Sequence, residues 1–120
     1  MQLKRRHTMN RASEFAMVRA EGCSEAGRFL ILNLAPLPAG QESEHSRVGI
    51  ITTKRIGHAV LRNLLRRRVR EMVREHGDPI ARGFYVVLVL RNRAAFSDYR
   101  QLEADFLKLL TRQLRRRTAC

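Results

Sequence analysis

The segment KRIGHAVLRNLLRRRVREMVR, Lys54 to Arg74, holds eight Lys or Arg side chains and a single carboxylate, Glu71. Guanidinium groups at this density offer charge-assisted, often bidentate hydrogen bonds to phosphate oxygens or base edges. The residue types that break bonds are not gathered anywhere. A metal-dependent nuclease needs clustered carboxylates, and a metal-free one needs paired histidines or an equivalent. His7, His45, His58 and His76 fall on an arm, a loop and the two ends of one segment, and read as separate surface residues. Asp78, Asp98 and Asp105 read as a turn residue, a helix cap and a helix-surface residue. Gly49, Gly57 and Gly83 are isolated, so neither a phosphate-cradling loop nor a nucleophile elbow is expected. The sequence thus offers a binding surface, with no catalytic residue, no metal ligand set and no small-molecule substrate expected.

Presenting those arginines on one side requires a helix. From His58 to His76 the apolar residues recur with helical period, and Gly77, Asp78 and Pro79 end it. At about 100° per residue, Leu61, Leu65, Val69, Met72 and Val73 share an arc of roughly 120°, the width of a face packed on a sheet. Asn63, Arg66, Arg67, Arg70 and Arg74 occupy the adjoining arc of about 100°, with Arg62 on its border. The ordinary explanation of a charged helical face is a solvated surface laced with Glu–Lys pairs, but Glu71 and Glu75 are the only carboxylates in this helix. Arg62, Arg66, Arg70 and Arg74 place like charges at i,i+4, each pair costing about a few tenths of a kcal/mol, so a compensating anion is expected.

The other elements follow from local patterns. Residues 1–11, with Lys4, Arg5, Arg6 and Arg11, form a basic arm with little to order it. A short helix capped by Ser13 and carrying Phe15 and Val18 ends before Gly22. Phe29 to Leu34 reads as a strand; Arg47 to Thr53 reads as its hairpin partner, across a Pro- and Gly-bearing connection. Phe84 to Leu90, FYVVLVL, is apolar on both faces and belongs at the centre of a sheet. A last helix starts at Ser97 or Asp98, shows a stripe of Leu102, Phe106, Leu109 and Leu110, and runs into a basic tail over 112–120, expected to be poorly ordered. The order indicates an α+β fold, one sheet with helices packed on it, in a single domain over residues 1–120.

Lys+Arg total 24 against 11 Asp+Glu, leaving +13 on 120 residues. Such a charge opposes compaction unless a polyanion takes it up; nucleic acid is the first candidate and an anionic membrane surface the competitor. No apolar run approaches the ~20 residues that span a bilayer, and no apolar h-region follows the basic start, so a cytoplasmic location is expected. Cys23 and Cys120 are too far apart for a metal or redox motif and are expected as reduced thiols.

Ile56, Ala59, Arg62, Asn63, Leu64, Leu65, Arg66, Arg67, Val69 and Arg70, preceded by RVG at 47–49 and a KR-IG turn at 54–57, resemble the signature helix of the bacterial ribonuclease P protein family. Leu64 stands where that family usually has a third polar residue after Arg-Asn, and Arg19 where a second aromatic often follows the one at Phe15. The resemblance implies a mixed four-stranded sheet in α-β-β-β-α-β-α order, ribosomal protein S5 domain 2-like, with a very short extra strand near Gly22 to Gly27. It also implies a left-handed crossover around the signature helix, where general rules favour the right-handed one. Functionally, it implies that a catalytic RNA performs Mg²⁺-dependent endonucleolytic removal of the 5′ leader of precursor tRNA, the magnesium being held mainly by RNA and the protein alone being inactive. On that reading Arg62, Asn63, Arg66, Arg67, Arg70 and Arg74 bind the catalytic RNA. Phe15, Arg19, Lys54 and Arg55 bind the leader, beside the first helix, with Phe15 either stacking on a base or simply anchoring the core. Two rivals stay open: a ribosomal or other structural RNA-binding protein without a role in processing, and a reader of the DNA major groove, although the arginine helix is flanked by strands and lacks a helix-turn-helix partner.

Overall fold

Phe84–Leu90 is the strand that organises the molecule. The computed structural model describes residues 1, 3, 4, 7–9 and 11–116. In it α1 spans Ala12–Glu21, β1 Cys23–Ala26, β2 Leu30–Pro36, β3 Arg47–Ile51, α2 Ala59–His76, β4 Phe84–Leu90 and α3 Tyr99–Arg116. Short 3-10 turns occupy Lys54–Ile56, Asp78–Ile80 and Asn92–Phe96. The sheet order is β1-β2-β4-β3. Strand β4 runs antiparallel to β2, with Leu34 opposite Val86, and parallel to β3, with Val48 opposite Val86.

Both faces of β4 are covered, as its sequence requires. Val86, Leu88 and Leu90 face a core shared with Leu65, Val69, Met72 and Val73 of α2 and Leu102, Phe106 and Leu109 of α3. Tyr85 and Val87 face a smaller cluster with Val18 of α1 and Met9 of the arm. The apolar arc read from α2 is therefore its core face, Leu61 being only partly buried.

Several expectations need correction. Strand β3 is not the hairpin partner of β2: β1 is, with Glu25 opposite Leu32, and β4 separates β2 from β3. The doubly apolar β4 can cover both edges, which is why it lies between them. Helix α1 begins at Ala12 without a side-chain cap, its first turn closed by the N–H groups of Glu14 and Phe15 donating to the Arg11 carbonyl. The arm is not idle. Thr8 bridges Val48 in parallel, Met9 N–H donates to the Val48 carbonyl at 2.8 Å, and Met9 is buried. An edge strand leaves unpaired backbone groups, and here the arm takes some of them. Of the two cysteines expected as reduced thiols, Cys23 opens β1 and Cys120 lies outside the described residues.

Helix α3 begins with a reciprocal cap: Gln101 N–H donates to Asp98 Oδ1 at 2.8 Å, and Asp98 N–H donates to Gln101 Oε1 at 3.0 Å. Of the expected tail, residues 112–116 continue this helix and 117–120 lie outside the described residues. Asp105 is no surface residue. It is buried and accepts hydrogen bonds from the N–H groups of Arg28, Phe29 and Leu30 at 2.9–3.0 Å. Gly27 permits that approach, since a Cβ there would lie 2.5 Å from Asp105 Oδ1. Two turns on, buried Gln113 donates through Nε2 to the carbonyls of Cys23 and Leu32, fastening α3 to both β1 and β2.

Candidate nucleic-acid interface

A cleft of about 600 Å³ lies along the outer edge of β3, beside the docked arm and between α1 on one side and α2 on the other. Val48 and Ile50 form its floor, Phe15 and the arm residues Leu3, Thr8 and Met9 one wall, and Arg66 and Arg70 the other. The volume falls within the range of about 300–1,000 Å³ that small ligands or nucleotides occupy. Phe15 rests on the strand: a Cβ at Gly49 would fall 2.7 Å from its Cε1, so only glycine lets the ring come this close. The ring is partly buried, packed on the Met9–Val18 cluster, and also lines the cleft. Core anchor and cleft wall are thus two roles of one side chain.

No carboxylate among the described residues lines this cleft. Asn63 Oδ1 accepts from Arg66 Nη1 at 3.4 Å, which steers that guanidinium. Arg67 and Arg70 are exposed, Arg62 is partly buried, and no ion pair among the described residues engages any of Arg62, Arg66, Arg67 or Arg70. Arg62 Nε is buried with no hydrogen-bond partner among the described residues. Arg74 differs, being paired with Glu71, so it adds least to the unbalanced charge. Arg68 donates from Nη1 to the Ser97 carbonyl at 3.2 Å and holds α2 against the start of α3. Leu64 is partly buried.

The structure therefore joins Phe15 to Arg66 and Arg70, residues expected on two separate surfaces. Arg19, Lys54 and Arg55 do not line this cleft. All three are exposed, Arg19 on α1 and the other two on the 3-10 turn just beyond β3. The sequence reading missed Leu3, Thr8 and Met9; their only signal was apolar side chains interleaved with charge in an apparently idle arm. Beneath α1, Arg47 Nε lies 2.9 Å from Glu14 Oε2 without hydrogen-bond geometry, and Arg47 Nη2 donates to the Thr8 carbonyl at 3.4 Å. Arg47 thus links β3 to both α1 and the arm.

The histidines are also less scattered than expected. Arm docking buries His7 and brings its ring to 4.7 Å from that of His45. At the C-terminal end of α2, His76 Nε2 lies 2.8 Å from Glu103 Oε2, and the ligand atoms of Glu75, His76 and Glu103 fall within 4.8 Å of one another. Tyr99 donates to Glu75 there, and burial, with help from that hydrogen bond, pushes its phenol up to about 12. These contacts clasp α2 to α3 and lie outside the cleft lining.

A pair of guanidiniums beside an aromatic ring, over an apolar floor with no acid, suits a chain that presents phosphates and unstacked bases together. No described helix is long and apolar enough to cross a membrane. The sequence matches the family model described as Ribonuclease P over residues 3–114. It is 38% identical over 111 residues to the ribonuclease P protein component of Roseiflexus castenholzii, covering 92% of this chain and 88% of that one. It is 35% identical over 103 residues to that of Halalkalibacterium halodurans, covering 86% and 84%. Among solved structures, the RNase P protein of Staphylococcus aureus superposes with a TM-score of 0.77 at 24% identity, covering 88% of this chain and 93% of that one, a likeness of fold. The Thermotoga maritima RNase P protein gives 0.71 at 27% identity, covering 82% and 92%.

Proposed function

This chain belongs to the ribonuclease P protein family, and on that footing we propose that its β3-edge cleft receives the unpaired 5′ leader of precursor tRNA while the exposed face of α2 docks on the catalytic RNA. As a ribonuclease P protein subunit it binds RNA and serves tRNA processing. The observation that carries the cleft assignment is the meeting of Phe15 with Arg66 and Arg70 in a groove without carboxylates. Arg62, Asn63 and Arg67 continue the same helix outward toward the larger RNA, and Lys54 and Arg55 follow leader phosphates beyond the end of β3.

The same residues argue for an accessory role. Hydrolysis by the protein would need an acid–base pair or metal ligands at the bound phosphate, and the cleft residues do not fit Mg²⁺, which takes oxygen ligands, chiefly carboxylates and phosphates. We place the magnesium on RNA and derive no step through it. The protein then acts by screening phosphate repulsion between catalytic RNA and substrate and by holding the leader, in a cytoplasmic ribonucleoprotein. Reconstitution with a bacterial ribonuclease P RNA at low Mg²⁺ tests this. Addition of the protein should restore leader cleavage and strengthen binding of precursor over mature tRNA. Tight binding to ribosomal RNA with no effect on cleavage would instead favour a structural RNA-binding role.

A further inference from the structure

Of the seven Phe and Tyr rings in the chain, one is left open to solvent. Phe29, Phe106 and Tyr85 are buried, Phe15, Phe84 and Tyr99 are partly buried, and Phe96 is 90% exposed. A single exposed apolar residue needs no explanation in general; its setting is what makes this one informative. Phe96 ends the 3-10 turn Asn92–Phe96, whose backbone is fixed on either side of the ring. Ala94 is fully buried, Ser97 is buried with its Oγ donating to the Ala94 carbonyl at 2.7 Å, and Arg68 holds the Ser97 carbonyl. The ring is therefore carried outward on a rigid mount, with no packing role of its own.

The surroundings are basic. The turn packs against Lys54–Ile56 and against α2. Lys54, Arg55 and Arg93 are exposed, and no ion pair among the described residues engages them. The nearest acid along the chain, Asp98, is engaged in the α3 cap. The position also continues the cleft. Strands β3 and β4 are parallel, so the turns that follow them, Lys54–Ile56 and Asn92–Phe96, lie at the same end of the sheet. A single strand lying along β3 and leaving at that end meets Lys54 and Arg55, then the turn that carries Phe96.

We propose that Phe96 is a second stacking platform for the precursor, receiving an unpaired leader nucleotide whose flanking phosphates lie on Lys54, Arg55 and Arg93; this rests on the assignment of the cleft to the leader. An isolated ring among unpaired cations complements an unpaired nucleotide, which presents an apolar face between two anions, better than it complements a duplex, whose bases are already stacked.

The test uses the reconstituted holoenzyme. Phe96→Ala should leave the melting temperature unchanged and lower affinity for precursor tRNA with an unpaired leader by roughly 5- to 150-fold, with mature tRNA unaffected. The chain has no tryptophan, so Phe96→Trp supplies a lone reporter that should keep precursor affinity and be quenched by precursor but not by mature tRNA. Precursor affinity of the alanine variant within twofold of the unchanged protein, or an indole emission from the tryptophan variant that precursor leaves unaltered, overturns the proposal. So does a loss of affinity for the catalytic RNA with precursor selectivity intact, which would put the ring against that RNA. If the unchanged holoenzyme shows no preference for precursor over mature tRNA, the leader assignment itself fails, and that outcome is distinguishable from failure at Phe96 alone.

Discussion

Asp105 shows how much one carboxylate can decide. It lies between α3 and the β1–β2 turn and satisfies three consecutive backbone N–H groups. Asp105→Ala should cost on the order of 3 kcal/mol or more, because each buried donor left unpaired carries a penalty of about 1–3 kcal/mol. Urea unfolding with unchanged slope and a lower midpoint is the expected result; a midpoint that does not move would mean that water replaces the carboxylate at no cost. Its role was not legible beforehand, since an Asp on the polar side of a helix looks like a solvent residue until the turn it meets is known. Phe15 is the complementary case, a ring legible in the sequence that both packs on the core and lines the cleft. Phe15→Leu keeps most of the apolar volume and removes the stacking plane. Affinity for precursor tRNA should fall, with mature tRNA affinity and melting temperature little changed, and equal losses for both RNAs would reduce Phe15 to a core residue.

At the scale of elements, α2 was the most legible part of the chain because a period of 3.6 fixes both of its faces at once: Leu65, Val69, Met72 and Val73 inward, and Arg66, Arg67 and Arg70 away from the core. Asn63→Ala with Arg67→Ala, both exposed on the outward side of α2, should therefore leave the melting temperature close to unchanged and weaken holoenzyme assembly about tenfold or more, if each side chain contributes at least ~0.7 kcal/mol to RNA binding. A filter-binding titration against ribonuclease P RNA, together with a thermal melt, checks both parts; normal assembly or outright unfolding contradicts the assignment. Strand pairing was less legible. Period-two patterns identify strands and say nothing of their neighbours, so sequence order alone suggests β2 as the partner of β3, whereas its partner β4 lies beyond a whole helix. Strand β1, expected near Gly22 to Gly27 from the family resemblance, is invisible to local pattern because CSEA carries no apolar alternation; its pairing is held from outside, by Gln113 and by the edge of β2.

For the molecule as a whole the charge remains the dominant fact. A net +13 on a chain with a radius of gyration of 13.5 Å repels itself, and bound RNA relieves that repulsion. Affinity for RNA should fall by about 10³-fold between about 50 and 200 mM salt if roughly six phosphates are engaged, and a flat salt profile would mean that few are. The central position of β4 also bears on how the chain is made. Asn33 on β2 and its β4 partner Val87 are separated by 54 residues. At ~5–20 residues per second, the β1–β2 hairpin waits roughly 3–10 s on the ribosome before the strand that completes it is even synthesised. A nascent chain ending at Gly83 should accordingly be degraded readily by added protease, and one extended past Arg116 should resist; early resistance would show that the hairpin is stable without its neighbour. Until β4 emerges, an apolar, highly cationic and incomplete domain is held beside ribosomal RNA, so this protein meets its first polyanion before it has finished folding.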